Sequence, residues 1–254
     1  KRGTILADKK SDSYGSESIQ VLEGLEPVRK RPGMYIGGTG RDGLHHLIKE
    51  IADNCVDEAI AGYGTVVDVT LLADGGCRIR DDGRGIPVEK MAKTGISALE
   101  TVLTVLHAGG KFGGGGYKVS SGLHGVGSSV VNALSTKLIA EVHRDGGAYM
   151  IEFAQGKPLS HIKRIGDATD HGTIITFYPD PEIFKETVEL EYQWVIDYLR
   201  HQSYLTKGLK THVHDERTGQ SYGFYFEGGI QSYVKHLNFG KEVVDDDVFY
   251  VDKM

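Results

Sequence analysis

Glu50-Ile51-Ala52-Asp53-Asn54, followed about thirty residues on by Asp81-Asp82-Gly83-Arg84-Gly85, decides how this chain is read. A spacing of four puts Glu50 and Asn54 on neighbouring turns of one helical face. A carboxylate there can activate water, and an amide oxygen can ligate Mg2+. The second stretch sets a carboxylate among glycines where a strand ends. Asp81 can accept a hydrogen bond from an exocyclic amine such as that of adenine, and Gly83 and Gly85 let backbone approach a flat ring. Each stretch has a plainer alternative: a solvated polar helix face for the first, a simple turn for the second.

Working outward, Leu44 to Ala61 has helical periodicity. Leu44, Ile48, Ile51, Cys55 and Ala59 share one stripe, His46, Glu50, Asn54 and Asp57 the opposite one, and Gly62 is the stop. Val66–Leu72 and Cys77–Arg80 read as strands joined by the turn Asp74-Gly75-Gly76. Ile96–His107 and Ser128–Leu134 read as helices. Further strands are expected at Lys137–His143, Tyr149–Phe153 and Thr173–Phe177, a helix at Val188–Gln202, strands around Val213 and over Tyr222–Phe226, a helix at Ile230–Leu237 and a strand-like end at Val248–Val251. Strands joined by short turns and interleaved with helices predict an α+β fold, a two-layer α/β sandwich with a mixed, mostly antiparallel sheet. The run Arg29-Lys30-Arg31 reads as a solvated face, and Pro32-Gly33 as a turn after it.

Ala108 to Gly127 carries nine glycines in twenty residues, which predicts a mobile loop. Its glycines run into a helix start, where free backbone N–H groups make an anion site and Lys111 adds a charge. A Gly-rich linker is the alternative. Phe112 after Lys111 rules out a Walker A loop. Thr173 could relay a hydrogen bond toward Asp81 or the base, or serve only as a good strand former.

The bulk numbers bound the rest. The 254 residues carry a formal charge of -6, so nucleic acid is not held by global attraction. No apolar run approaches the ~20 residues that span a membrane, and no secretory signal is visible. Cys55 and Cys77 lack a CxxC spacing and read as buried thiols in a reducing cytoplasm. Lys1 to Ser18 are polar and read as an arm or a frayed end.

Taken in order, Val28-Arg-Lys-Arg-Pro-Gly-Met-Tyr-Ile-Gly37, Leu44-His-His46, Glu50 to Ala59, Asp81 to Pro87, Leu106-His-Ala-Gly-Gly-Lys-Phe112 and Leu123 to Leu134 resemble the ATPase subunits of bacterial type IIA DNA topoisomerases, gyrase and topoisomerase IV. The resemblance covers about residues 18 to 240. It implies a Bergerat fold with ATP and Mg2+ under a flexible lid. It makes Glu50 the general base, His46 a positioner of the attacking water, Asn54 the Mg2+ ligand and Asp81, supported by Thr173, the holder of the adenine amine. Arg84, Gly85, Ile86 and Pro87 would line the pocket wall, with Arg84 paired to Glu58. Gly110, Lys111 and the backbone of Leu123, His124, Gly125, Val126 and Gly127 would contact phosphates, and Tyr117 the adenine edge. Arg144 would stand with Asp81, Arg84 and Thr173 in the pocket where aminocoumarins bind.

The resemblance also implies three segments: a dimerisation arm at 1–17, the ATPase domain at 18–237, and a linker with the start of a truncated transducer domain at 238–254. Tyr14 and Ile19 would reach the neighbouring subunit of a homodimer closed by ATP. A DNA-cleaving partner of the gyrase A type would complete an A2B2 assembly, with DNA bound through other domains and no membrane contact. The transducer lysine that completes such sites is not in this sequence, so a fragment is expected. Ser121 stands where the family has glycine, and Lys49 where an aromatic is common. Chaperone-type switches, histidine kinases and mismatch-repair ATPases share the fold; the Leu106–Phe112 motif and Glu50 argue against them.

Overall fold

The computed structural model describes residues 22–108, 125–243, 245 and 247–251. In chain order its elements are helices α1 (Glu26–Lys30), α2 (Gly33–Ile36) and α3 (Arg41–Ile60), strands β1 (Val66–Leu71) and β2 (Cys77–Asp81), helices α4 (Ala98–Thr104) and α5 (Gly127–Ala133), and strands β3 (Ser135–Arg144), β4 (Gly147–Ala154), β5 (Lys157–Pro158), β6 (Lys163–Asp167) and β7 (Gly172–Pro179). Helix α6 (Tyr192–Leu205), strands β8 (Lys210–Asp215) and β9 (Gln220–Tyr225) and helix α7 (Ile230–Asn238) follow. One sheet runs β5-β4-β3-β7-β2-β1-β8-β9, with β6 on β4. Among the described residues only β1 and β8 pair in parallel; the other strand pairings are antiparallel. The expected two-layer sandwich with a mostly antiparallel sheet is the fold observed.

Period-two alternation places the chemistry. In β1, Val67, Val69 and Leu71 are buried, and in β2 so are Cys77, Ile79 and Asp81. Asp81 therefore occupies a core-facing position at the end of a strand, under the helical layer. Helix α3 lays Leu44, Leu47, Ile48, Ile51, Ala52, Cys55 and Val56 into that core. Each fully buried aliphatic side chain there contributes about 1.5–3 kcal/mol. The close approach of α3 to the preceding chain needs a glycine: a Cβ on Gly43 would lie 1.9 Å from the Gly38 carbonyl oxygen.

Several expectations are corrected. The helix expected over Ile96–His107 is shorter: Ser97 Oγ caps it by accepting from the Glu100 N–H at 3.0 Å, and Val105 is already extended. The helix expected from Val188 starts at Tyr192, because the Glu191 N–H is drawn 2.8 Å to His45 Nε2 on α3. Val248–Val251 forms no strand among the described residues. Arg29 is not solvated: Nη1 donates to the Ala133 carbonyl at 2.7 Å and Nη2 to buried Asp180 at 2.8 Å. Pro32 and Gly33 open a helix, α2, and do not form a simple turn. Asp57, expected on the polar stripe, is fully buried. The expected loop over 108–127 lies mostly outside the described residues; Gly127 already belongs to α5.

Candidate active site

Two groups of side chains share α3 as their wall. At one end, His46 Nε2 lies 2.8 Å from Glu50 Oε1, one helical turn on. The other carboxylate oxygen faces α5: a Cβ on Gly127 would stand 2.1 Å from Glu50 Oε2. Asn54 Nδ2 donates to Ser128 Oγ at 3.1 Å. Glu50 and Asn54 therefore face the first turn of α5, with His46 behind Glu50; the N-cap of α5, Val126, offers no side-chain cap. Backbone N–H groups at a helix start lack intrahelical partners and carry partial positive charge. Gly125, just before, has φ +59°, a conformation that favours glycine.

At the other end sits Asp81. Its Oδ1 accepts from the Gly83 N–H at 2.8 Å and the Thr173 N–H at 3.3 Å. Burial pushes its pKa up to about 6, against the hydrogen bonds from Gly83, the Cys55 thiol and Thr173. Of the two targets the sequence offers for the Thr173 hydroxyl, Asp81 or the base, the first is reached by the backbone N–H and not by the hydroxyl. The β2–β7 register ends at Arg80 and Ile174, which aims the Thr173 backbone N–H at the carboxylate; the hydroxyl accepts from the Ile86 N–H at 3.3 Å.

The turn after Asp81 is held from both sides. Arg84 pairs with Glu58 as expected, Nη2 to Oε1 at 2.8 Å and Nε to Oε2 at 3.1 Å, and its guanidinium lies 3.7 Å over the Tyr63 ring. Gly85 has φ +72°, and a Cβ there would meet the His143 carbonyl at 2.8 Å. Arg144 Nη1 donates to the Gly85 carbonyl at 3.0 Å, so Arg144 does stand at this edge. Ile86 is half-buried against the core and Pro87 exposed beyond it. Asp82 turns away. It accepts from the Thr65 and Val66 N–H groups and the Thr65 hydroxyl, bonds that outweigh burial and hold its pKa down.

Glu50, Asn54 and Glu58 thus recur every fourth residue along one stripe of α3, joining the start of α5 to the turn after Asp81. Eight residues of helix span about 12 Å, a distance suited to a ligand with an anionic tail at one end and a flat base at the other. Of the expected site residues, Tyr14, Ile19, Gly110, Lys111, Tyr117, Leu123 and His124 lie outside the described residues. Sequence reasoning missed Ser128 and His171. Ser128 follows the Gly-rich segment directly and could have been found; His171 touches Gly83 from 88 residues away and left no local signal. Among the described residues no group of three His, Cys, Asp or Glu side chains is placed to hold a metal.

Residues 39–183 match the family described as histidine kinase-, DNA gyrase B-, and HSP90-like ATPase. The chain is 52% identical over 247 residues to the DNA gyrase B protein of Streptococcus pyogenes serotype M18, covering 96% of this chain and 38% of the relative. It is 51% identical over 246 residues to the DNA gyrase B protein of Enterococcus faecalis, covering 96% and 38%. With that of Staphylococcus epidermidis it shares 52% over 250 residues, covering 98% and 39%. The chain thus spans well under half the length of these relatives. A solved structure, the 43K ATPase domain of Thermus thermophilus gyrase B in complex with an aminocoumarin, superposes with a TM-score of 0.79 at 42% identity, covering 87% of this chain and 57% of that one.

Proposed function

We infer the function of this chain from its kinship: it belongs to the histidine kinase-, DNA gyrase B-, and HSP90-like ATPase family. We propose that it is the ATP-binding and ATP-hydrolysing region of a DNA gyrase B protein, whose clamp closure drives strand passage and DNA supercoiling. The shared name of the relatives favours gyrase over topoisomerase IV. The observation that carries the reading is the Glu50–Asn54–Glu58 stripe, which ties a water-activating carboxylate to a base-binding one across about 12 Å of helix.

In this reading Asp81 accepts a hydrogen bond from the adenine amine, and Gly83, Arg84, Gly85, Ile86 and Pro87 form the wall against the ring. The triphosphate runs along α3 toward α5, where the backbone from Gly125 to Gly127 receives it, with Gly110, Lys111, Leu123 and His124 as further phosphate contacts and Tyr117 at the base. Glu50 takes a proton from the attacking water. His46 holds one carboxylate oxygen at 2.8 Å and so fixes where the other points. Asn54 fits Mg2+. Its Nδ2 donates to Ser128, which orients the amide, and its Oδ1 is a hard oxygen of the kind that Mg2+ takes. An Mg2+ held by Asn54 would supply charge neutralisation to the phosphates.

Residues 1–17 act as a dimerisation arm, with Tyr14 and Ile19 reaching the nucleotide site of a second copy. Residues 18–237 form the ATPase domain, and 238–254 lead into a transducer domain that supplies a catalytic lysine. A gyrase A-type protein completes the assembly in the cytoplasm. Aminocoumarins bind against Asp81, Arg84, Arg144 and Thr173. The test is Glu50→Ala in the full-length protein: nucleotide binding is retained and turnover falls to background. Normal turnover in that variant would remove Glu50 from the role of base.

A further inference from the structure

His171 takes no part in the proposed catalytic scheme. The geometry points to His171 as a positioning residue for base selection: its ring N–H holds the carbonyl of Gly83, the residue whose own N–H binds Asp81, and so sets preference for a base with an exocyclic amine over one with a carbonyl at that edge. The inference rests on the proposed role of Asp81.

Nδ1 of His171 lies 2.6 Å from the Gly83 carbonyl oxygen. A carbonyl only accepts, so Nδ1 is the protonated, donating nitrogen. The N–H of that same peptide, on Arg84, donates to Glu58 Oε2 at 3.1 Å. One peptide plane is therefore gripped at its oxygen from the start of β7 and at its nitrogen from α3. The N–H of Gly83 in turn donates to Asp81 Oδ1 at 2.8 Å. That donor lies in the peptide before Gly83, so gripping the plane after it restricts the rotation of Gly83, steadies the donor and with it the orientation of the carboxylate. Gly83 has no side chain to do this, and a Cβ there would stand 2.8 Å from Glu58 Cγ.

His171 is itself well anchored, although its ring is exposed. Its neighbour Asp170 binds Arg80 Nη2 at 2.8 Å and His143 Nδ1 at 2.7 Å. On the other side, Gly172 packs against the Asp81 carbonyl so closely that a Cβ would lie 2.0 Å from it. Thr173 then donates its N–H to Asp81. A segment of four residues thus touches the Asp81 turn at its carboxylate, its backbone and its far carbonyl. Only the His171 contact is made by a side chain that can be removed without disturbing β7.

The experiment is calorimetric titration of this 254-residue chain with non-hydrolysable analogues of ATP and GTP. Loss of one hydrogen bond in His171→Ala is expected to weaken the ATP analogue about three- to tenfold and leave the GTP analogue unchanged, so the ratio contracts. His171→Asn, whose amide N–H stands near the place of Nδ1, is expected to restore most of the affinity. A purely structural role would lower both affinities in proportion; that result, or no change at all, would overturn the inference. Asp81→Ala separates the two layers. If it abolishes the preference for the ATP analogue while His171→Ala does not, the role of His171 falls and that of Asp81 stands. If Asp81→Ala keeps the preference, both fall.

Discussion

Asp81 is a carboxylate that burial holds at a pKa of about 6, well above its ordinary 3.8. A group whose folded pKa is raised contributes stability below its unfolded pKa, and that contribution is lost as pH rises through about 6. Ligand binding runs the other way, because only the ionised form is a full acceptor for an amine. Affinity for a non-hydrolysable ATP analogue is therefore expected to weaken between pH of about 7.5 and about 5. Calorimetry across that window checks it; an affinity flat with pH would place the base elsewhere. Asp81, Glu50 and Asn54 were legible in the sequence because each is a polar type in a local pattern that folding alone does not require. His171 was not, because its meaning depends on a register between β2 and β7 that no local pattern encodes.

Among the elements, α3 was the most legible, since its apolar stripe and its polar stripe both follow the helical period over twenty residues. The short helices α1 and α2 were missed: each is under two turns, too short for periodicity to register, and each is defined by packing. The edge strand β6 was missed because all five of its residues are exposed and show no alternation. The approach of α5 to α3 gives a sharp prediction. Gly127→Ala drives a Cβ into the Glu50 carboxylate, so turnover in the full-length protein is expected to fall at least tenfold, by an order-of-magnitude estimate of about 1.4 kcal/mol or more, while the fold survives. The start of α6 gives another. His45 Nε2 accepts from Glu191 while Nδ1 donates to the Arg41 carbonyl, a bonding that needs the neutral ring. Burial lowers its pKa below 6.5, so the folded state binds fewer protons than the unfolded chain. Stability is expected to decline as pH falls below 6.5, and His45→Gln should flatten that decline in denaturant titrations.

Across the whole molecule, the helical layer is pinned at one end by Arg29, which joins α1 to the end of α5 and to buried Asp180. Arg29→Ala leaves that carboxylate with only neutral donors. Urea unfolding is expected to show a loss of about 3 kcal/mol, whereas a surface arginine would cost well under about 1 kcal/mol. No helix among the described residues is long and apolar enough to cross a membrane. The sheet order, with β8 and β9 added beside β1 through a parallel pairing, could not be read from sequence, because pairing partners far apart in the chain leave no periodicity of their own. The central claim is that one ligand bridges the two ends of α3. A crystal structure of this chain with a non-hydrolysable ATP analogue and Mg2+ tests it most directly. The account predicts the adenine amino group on the Asp81 carboxylate and the terminal phosphate beside Glu50 at the start of α5; a nucleotide seated away from either carboxylate would contradict it.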